Sequence, residues 1–428
     1  MYFIVQGTLS YGEEYCEERC DNSLPYEACS SNRGCGCLPL SHNNKSSICA
    51  FVYATCSKLS SCAADNKTCY QPHYICVKHS RCHTSPLCYP MHMTTQSICP
   101  TISTTSINIK FKTRSFCFCF IAVSPIPDDG ICENATWNTN GITMAGGNGS
   151  GSELNQLQFP SGIFLDDDSN LYVADGFNHR VVKWNYGSSV GQLVAGGNGE
   201  GNRTDQLRYP KNLIVGKNGT MFICDGNNRI LKWEKNAREG EQIIANASCY
   251  GIHADRRGSL YYSQAGYHQI IRWPENEIVA GGNGEGSHLN QLLFPYDFFI
   301  KNDKSIFIAD GGNHRILEWI IGDKQGSVRA GGYGPGHNLS QFYQPMSVVV
   351  DQSDALYIAD YDNDRIMRWL KNSKSGIVIV GERGEGKEKD QLDRPIQLLF
   401  DKQGNLWVTD EMNHRIQMFK IDKSSCKT

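Results

Sequence analysis

A short polar stretch between two apolar runs contains the residue types that most often do chemistry. In residues 308–319, "IADGGNHRILEW", a carboxylate, an imidazole and a guanidinium lie within six positions, at Asp310, His314 and Arg315. At this spacing they could bind a metal ion or act in acid–base catalysis. The alternative is that they stabilise a tight reversal of the chain between two strands. Copies of the stretch elsewhere in the chain discriminate between the two interpretations.

The stretch is one of six copies. Segments of the same pattern occupy residues 171–184, 221–233, 260–273, 306–319, 356–369 and 406–419, mostly 50 residues apart. A second motif, which varies around "AGGNGxG" and "QLxFP", precedes every unit except the third. Each unit therefore predicts four short strands: the run after Pro, the "LYVAD" run, the "HRVVKW" run and the run ending in "AGG". Four strands in a repeat of about 40–50 residues with Gly turns are typical of β-propeller blades.

The order of these strands predicts how the ring closes. Six sets of first, second and third strands begin near residues 160, 210, 250, 295, 345 and 395, but the last set has no fourth strand after it. We expect residues 142–145 to supply that outer strand, because closure removes an exposed sheet edge. Cys132 and Cys426 flank the seam and could form a disulfide. The predicted fold is an all-β, six-bladed propeller of four-stranded blades, closed by an N-terminal outer strand and preceded by a small disulfide-rich module.

The repeated motif, "D-x-x-N-H-R-[IV]-x-x-[WF]" preceded by "[LI]-[YF]-[VI]-A", resembles the NHL repeat. The resemblance extends from residue 142 to about residue 421, and it implies a six-bladed NHL propeller. Unit three departs from the pattern, with Gln264 and Gln269 in place of Asp and Arg, and unit five has Asp364 in place of His. The repeat cores lie near residues 160–187, 210–236, 250–276, 295–322, 345–372 and 395–421.

Six equivalent copies argue for a structural role, because an active site needs one constellation and not six. An Asp at the end of a strand can accept backbone N–H bonds across a turn, and Asn or Gly tolerates positive φ there. His and Arg then begin the third strand, within reach of the carboxylate. By the same argument the Gly-rich segments link blades and do not bind phosphate, since no helix follows them. We predict no catalytic residue among the turn residues, which are Asp175, Asn178, His179, Arg180, Asp225, Asn228, Arg229, Asp310, Asn313, His314, Arg315, Asp360, Asn363, Arg365, Asp410, Asn413, His414 and Arg415.

Residues that the repeat leaves free are better candidates for a particular function. The first strand of each blade lines the channel of a propeller, so the two residues after each Pro position can be compared around the ring. Three His residues for a zinc site do not converge in these rows, and His253 stands alone. Asn212 and Asp297 are weak candidates for metal ligands, although no third acidic residue joins them. We therefore expect no cofactor. The compared pairs are Ser161-Gly162, Lys211-Asn212, Tyr250-Gly251, Tyr296-Asp297, Met346-Ser347 and Ile396-Gln397.

The cysteines indicate a second module. Of the 19 cysteines, fifteen fall between positions 16 and 119, at irregular spacing. That density favours a disulfide framework in an oxidising compartment over zinc ligands, which occur as regularly spaced pairs. We predict a Cys-rich disulfide module over residues 1–115, a linker over 116–131 and the propeller over 132–428. The apolar "FCFCF" run at residues 116–120 has no assigned role.

Sequons for N-glycosylation favour the same compartment. No signal peptide is visible, which we attribute to an incomplete N-terminus. We therefore expect an extracellular, secreted glycoprotein. The sequon asparagines are Asn44, Asn66, Asn134, Asn148, Asn202, Asn218, Asn246 and Asn338.

Three classes of function remain open at this point. A non-catalytic extracellular binding or scaffold protein, which recognises a protein or small ligand with one propeller face, agrees with the cysteines and the sequons. An intracellular adaptor, like the NHL proteins that are joined to RING ubiquitin ligases or bind RNA, lacks the RING ligand pattern, and the net charge of −3 does not favour nucleic acid. A metal-dependent propeller enzyme of the lyase or lactonase type is the third class. No apolar run approaches the ~18–20 residues of a membrane span. The first class is our expectation.

Overall fold

The computed structural model describes residues 131–428, apart from 256–257, 302–303 and 427–428, and the backbone of five strands nearer the N-terminus. The chain divides into two compact units, Met1–Cys117 and Phe118–Thr428. The five strands of the first unit are β1 (Cys35–Leu40), β2 (Asn43–Phe51), β3 (Ser60–Ser61), β4 (Tyr74–Val77) and β5 (Leu87–Pro90). They form one antiparallel sheet in the order β2-β1-β4-β5-β3. Asn44 lies in β2, whereas the predicted disulfides of this module, the sequon at Asn66 and the linker residues 116–130 lie outside the described residues.

The second unit confirms the predicted fold class. Six antiparallel sheets of four strands form a propeller, and the first strands of successive blades adjoin one another around a ring. The first three blades comprise β8 (Pro160–Leu165), β9 (Leu171–Asp175), β10 (Arg180–Trp184) and β11 (Gln192–Gly196); β12 (Asn212–Val215), β13 (Met221–Asp225), β14 (Arg229–Trp233) and β15 (Glu241–Ala245); and β16 (Cys249–Ala254), β17 (Leu260–Gln264), β18 (Gln269–Trp273) and β19 (Glu277–Gly281). The last three comprise β20 (Pro295–Lys301), β21 (Ser305–Asp310), β22 (Arg315–Ile320) and β23 (Ser327–Gly331); β24 (Pro345–Val350), β25 (Leu356–Asp360), β26 (Arg365–Trp369) and β27 (Ile377–Val380); and β28 (Pro395–Phe400), β29 (Leu406–Asp410), β30 (Arg415–Phe419) and β7 (Ile142–Gly146).

Burial explains the sequence pattern of each blade. Every residue of the second strands β9, β13, β25 and β29 is buried, because each blade packs against a neighbour on both faces. These strands are therefore almost continuously apolar, as expected for strands buried on both faces. The outer strands begin with exposed residues and become buried only near their ends. The most regular apolar segments thus lie in the middle of each blade.

The hydrophobic core consists of separate clusters between blades. One cluster joins Phe307 and Ala330 of the fourth blade to Ile358, Met367 and Trp369 of the fifth. Equivalent clusters lie at the other junctions. Burying one side chain of this size stabilises the fold by about 1.5–3 kcal/mol, so the packing between blades holds the ring together.

The ring closes between the two ends of the propeller, as the sequence predicts. β7 pairs with β30 as the outer strand of the sixth blade. Beside this seam, β6 (Thr136–Trp137) pairs with β31 (Ile421–Asp422), and Cys132 and Cys426 form a disulfide with their Cα atoms 5.7 Å apart. The buried guanidinium of Arg368 donates hydrogen bonds of 2.9–3.0 Å to three carbonyls of the segment that begins at Cys132. The N-terminal segment of the propeller is therefore fixed by strand pairing, a covalent bond and a buried cation.

A second disulfide, which the sequence analysis did not predict, joins the second and third blades. It links Cys224 in β13 to Cys249 at the start of β16, and both residues are buried. At this junction the Gly-rich segment and the Asp–Arg pair of the other units are missing. Gln269 Nε2 donates to Gln264 Oε1 at 2.6 Å in their place. The covalent bond therefore lies where the repeated noncovalent link is weakest.

Apart from short 3₁₀ turns such as Gly176–Asn178, the described part of the propeller has no helix. Correspondingly, no helix among the described residues is long and apolar enough to cross a membrane.

Candidate functional site

The repeated polar cluster connects each turn to the loop that precedes its blade. In the first blade, Asp175 Oδ1 accepts the backbone N–H of Gln158 at 2.7 Å, and Oδ2 accepts bonds of 2.8 Å from Asn178 Nδ2 and Arg180 Nε. Arg180 also donates to three carbonyls of the Gly-rich loop at residues 152–156. The carboxylate and the guanidinium are thus engaged with the protein itself.

The same geometry recurs in four further blades. Each Asp is at most 1% exposed and accepts a bond of 2.6–2.8 Å from the Arg that begins the third strand. Burial raises the pKa of Asp175, Asp310, Asp360 and Asp410. Five copies of one arrangement, each saturated with hydrogen bonds, describe a structural link. The further pairs are Asp225–Arg229, Asp310–Arg315, Asp360–Arg365 and Asp410–Arg415.

The His of the motif has a different position from the one predicted. It occupies the left-handed region itself, with φ of 54° at His179, and Asn178 precedes it in a short 3₁₀ turn. The imidazole Nδ1 of His179 accepts the backbone N–H of Tyr209 in the next blade at 3.2 Å. The same bond joins His268 to Phe294, His314 to Gln344 and His414 to Phe159. The His is therefore a link between adjacent blades.

Two departures from the motif follow from this role. Asp364 replaces His in the fifth unit, and its Oδ1 accepts the N–H of Arg394 at 2.8 Å, so the link between blades is retained. In the second unit Asn227, and not the predicted Asn228, donates to Asp225. Asn228 instead takes the left-handed position, with φ of 57°. The turn there is one residue shorter, which shifts the pattern by one.

A ring of six polar or small residues narrows the channel. Its members, one per first strand, are Gly162, Asn212, Gly251, Asp297, Ser347 and Gln397. Gln397 Oε1 accepts the N–H of Ile163 at 2.5 Å, and its Nε2 donates to Asn212 Oδ1 at 3.3 Å. A Cβ on Gly162 would lie 2.5 Å from the Asn212 Cα atom, so only glycine leaves room for this approach. We call this ring the waist.

The two weak candidates for metal ligands both lie in the waist, bound to different partners. Asp297 accepts 2.7 Å from Ser347 Oγ, and its other oxygen lies 2.8 Å from His253 Nε2. Asn212 Oδ1 accepts its own neighbour's N–H at 2.8 Å. Within the described residues no group of three or more His, Cys, Asp or Glu side chains is placed to hold a metal ion.

A cavity of about 240 Å³ lies above the waist, at the end where the first strands begin; we call it the first mouth. Its wall combines two rows of residues. The first row is the one compared in the sequence, with Lys211, Tyr250 and Tyr296. The second row follows the turn Asp of each blade and adds Tyr361 and Glu411, which the sequence analysis missed. The sequence contained a signal for Tyr361 and Glu411, because the other four blades have Gly or Ala at the equivalent position.

The first mouth is lined by one ammonium, that of Lys211, and two carboxylates, those of Glu411 and Asp297, of which Asp297 is held by Ser347 and His253 in the waist. The Lys211 ammonium lies 5.2 Å from the centroid of the Tyr250 ring, and burial lowers its pKa while the charge of Glu411 opposes that shift. Burial likewise raises the pKa of Glu411, and the Tyr361 hydroxyl donates to its carboxylate at 3.0 Å. Gln344 Nε2 donates to the Tyr296 hydroxyl at 2.9 Å. The site therefore offers both charges against aromatic surface.

Aromatic rings continue onto the rim of this mouth. Phe177, which is 48% exposed, lies with its centroid 4.5 Å from Phe159 and 4.9 Å from Tyr209. Two imidazole rings extend this row: the His414 centroid lies 4.7 Å from that of Phe159, and the His179 centroid lies 4.8 Å from that of Tyr209. Phe159 and Tyr209 both have positive φ, at 47° and 42°. Positive φ recurs at the equivalent residues Phe294, Gln344 and Arg394, so this conformation belongs to the repeat.

A second cavity, of about 480 Å³, opens on the other side of the waist. The ends of the first strands supply its apolar wall, with Phe164, Phe299 and Phe400, and Lys217 and Lys402 lie at its edge. His253 of the third blade, whose Nε2 atom lies 2.8 Å from the Asp297 carboxylate of the waist, also lines this cavity. We call this cavity the second mouth.

The sequon asparagines of the propeller are all exposed. They are Asn134, Asn148, Asn202, Asn218, Asn246 and Asn338. Their positions are open to modification, and glycosylation stays a prediction.

The fold and the first mouth together define a six-bladed β-propeller with a ligand-sized cavity at one end of its channel. No family model matches the sequence, and no curated protein matches it. Among solved structures, the chain is similar to a protein of unknown function from Bacteroides thetaiotaomicron, with a TM-score of 0.53, 14% identity and coverage of 68% of this chain and 77% of that one. It is also similar to an auxiliary nutrient binding protein from the same organism, with a TM-score of 0.50, 13% identity and coverage of 88% and 93%. A streptogramin B lyase matches with a TM-score of 0.42, 13% identity and coverage of 67% and 98%. At these identities the likeness is one of fold alone.

Proposed function

We propose that the protein is a non-catalytic binding protein whose propeller holds a ligand in the first mouth. The observation that carries this proposal is the concentration of non-repeated side chains there. Lys211, Tyr250, Tyr296, Tyr361 and Glu411 occupy positions where the repeat imposes no residue, and all of them face one cavity. A concave aromatic wall with a few convergent polar groups is typical of small-ligand sites.

The engagement of the remaining polar groups supports binding over catalysis. The turn carboxylates are saturated by hydrogen bonds to Arg and backbone, and Asp297 is held by two neighbours in the waist. These groups stabilise the scaffold, which leaves the mouth residues to contact a ligand. A nutrient-binding protein has a similar fold, which is compatible with such a role. The similarity in fold does not indicate which ligand this chain binds.

We further propose that the chain is an extracellular member of the NHL-repeat family, with a disulfide module over residues 1–115 and a linker over 116–131. Six repeat units support the family assignment. The propeller has one disulfide at the seam of the ring and one between the second and third blades. Both bonds, together with the exposed sequons, support an oxidising compartment. A secreted propeller with an open mouth would recognise a small ligand or a short exposed segment of another protein.

The test is a thermal-shift screen of metabolites and short peptides on the full chain, repeated on three variants. Tyr250→Ala removes one wall of the first mouth, and Tyr186→Ala, at a residue that is 76% exposed and lies outside it, is the matched control. A ligand at 100 times its Kd stabilises the folded state by about 2.7 kcal/mol. We expect Tyr250→Ala, and not Tyr186→Ala, to abolish the shift. Stabilisation that survives Tyr250→Ala but is lost in Phe299→Ala would transfer the site to the second mouth and contradict the proposal.

A further inference from the structure

Lys211 and Glu411 of the first mouth interact without forming an ion pair, whereas the third charged residue of its lining, Asp297, is bound by Ser347 and His253. Each influences the pKa of the other, so Lys211 and Glu411 lie within electrostatic range. No ion-pair contact joins them, and among the described residues the Lys211 ammonium has no hydrogen-bond acceptor. Glu411 accepts one bond, from Tyr361, which leaves its second oxygen free. A half-buried cation and a half-buried anion therefore face one cavity with unused bonding capacity.

A partly buried charge that lacks hydrogen-bond partners is unfavourable unless another polar group supplies the missing bonds. A partly desolvated ammonium or carboxylate loses hydration that only another polar group can replace. The protein could have joined the two side chains directly, but the cavity separates them. A molecule that carries both a carboxylate and an ammonium would satisfy Lys211 and Glu411 at the same time.

The size and the rim of the cavity restrict that molecule further. At about 240 Å³ the first mouth is smaller than the ~300–1,000 Å³ of pockets for drug-sized ligands. The row of rings at Phe159, Phe177 and Tyr209 lies at its edge and offers aromatic surface to an apolar group.

We propose that the first mouth binds a small zwitterion, an α-amino acid or a very short peptide, with its carboxylate on Lys211, its ammonium on Glu411 and its side chain against the aromatic rim. This inference rests on the proposed function and names the ligand class of the same site. Arg394, which lies 5.6 Å from the Tyr361 ring, adds positive charge outside the cavity, and Tyr361 fixes the orientation of Glu411.

The experiment measures binding of L-phenylalanine, L-leucine and glycylglycine to the full chain by calorimetry. The zwitterion that binds best is then compared with its N-acetyl form, which lacks the ammonium, and its amide, which lacks the carboxylate. Glucose serves as a neutral polyol. A hydrogen bond to a charged group contributes about 1.5–3 kcal/mol, so we expect each blocked form to bind at least about tenfold more weakly.

Two variants test whether Lys211 binds the carboxylate of the ligand and Glu411 its ammonium. Lys211→Met should weaken the zwitterion about tenfold without weakening the amide, since the amide has no carboxylate to lose and its ammonium is freed from repulsion by Lys211. Glu411→Gln, which keeps the acceptor for Tyr361, should weaken the zwitterion and leave the N-acetyl form unchanged. Lys217→Met and Glu153→Gln, at exposed residues outside the first mouth, are the matched controls. An unchanged melting temperature without ligand shows that the variants are folded.

Different outcomes separate this inference from the proposed function. If none of the three zwitterions binds, or if both blocked forms bind as well as the parent, the zwitterion class is wrong. If glucose or a compound from the screen then binds, and Tyr250→Ala abolishes that binding, the proposed site in the first mouth is supported but its ligand belongs to another chemical class. Should no compound respond to Tyr250→Ala, both proposals fail.

Discussion

Removal of the disulfide between the second and third blades should destabilise the propeller strongly. The change is Cys224→Ala combined with Cys249→Ala, which deletes two buried sulfur atoms and opens the bond. At this junction the third unit has Gln264 and Gln269 instead of the Asp–Arg pair, so no equivalent polar link remains to hold the blades. The two blades would then be joined at that point by packing and by two hydrogen bonds, from Gln264 Nε2 to the Asn246 carbonyl at 3.3 Å and from the Ala247 N–H to the Asn228 carbonyl at 2.7 Å.

The chain-entropy model gives the magnitude. The bond closes a loop of 25 residues, and its removal releases about 3.5 kcal/mol of conformational entropy in the unfolded chain. The seam disulfide between Cys132 and Cys426 closes 294 residues, for which the same model gives about 5.7 kcal/mol. Both figures are upper estimates, because residual structure in the unfolded chain reduces them. We expect losses of about 2–3.5 kcal/mol for the inner bond and more for the seam.

Urea denaturation of the propeller, followed by tryptophan fluorescence, measures both variants against the parent. Mutation is preferable to a reductant, since a reductant would also act on the cysteines of the N-terminal module. A loss below about 1 kcal/mol for Cys224→Ala with Cys249→Ala would show that packing and the remaining hydrogen bonds hold the junction without the disulfide. That result would refute the idea that the disulfide replaces the missing polar link.

Three further predictions concern the repeated links and the surface. Asp310→Asn leaves the buried Arg315 without its anion and should cost about 3–5 kcal/mol in unfolding free energy, whereas Asp205→Asn, at a solvent-screened surface ion pair, should have a much smaller effect; equal losses would contradict the structural role of the turn cluster. Burial lowers the pKa of His314 and His414, so the unfolded chain takes up protons first as the pH falls below about 6.5. Stability should therefore be complete above that pH and decrease below it, and His314→Asn with His414→Asn should flatten the profile of melting temperature between pH 8 and 5. Expression in a secretory host should add glycan mass at exposed sequons; an intact mass without any glycan would remove that support for secretion.

The repeat made the fold predictable from the sequence alone. A period near 50 residues, four apolar runs per unit and Gly-rich connections specify four-stranded blades, because each feature recurs with the same spacing. The position of residues 142–145 before the first blade even determined how the ring closes, since the sixth unit lacked an outer strand. The pair Cys132 and Cys426 was identified because both residues flank that seam.

Roles inside the turn were harder to predict, because they depend on backbone conformation and on the next blade. The sequence indicated a structural cluster but assigned positive φ to Asn or Gly, whereas His179 holds it and bonds to the following blade. That contact joins residues 30 positions apart, so no local pattern contains it. The same reason explains Asp364, which looked like a departure from the motif and in fact preserves the link.

The candidate site needed the tertiary structure most of all. Comparison of the first strands included Lys211, Tyr250 and Tyr296 but singled out Asn212 and Asp297. Glu411 and Tyr361 come from a different row of the repeat, which was not compared. Only closure of the ring brings the sixth blade next to the first and across the channel from the second, and with it places Glu411 in the same cavity as Lys211, 200 positions earlier in the chain. Local spacing determined the blades of this protein, and the packing of distant blades around one axis decided which side chains meet in its channel.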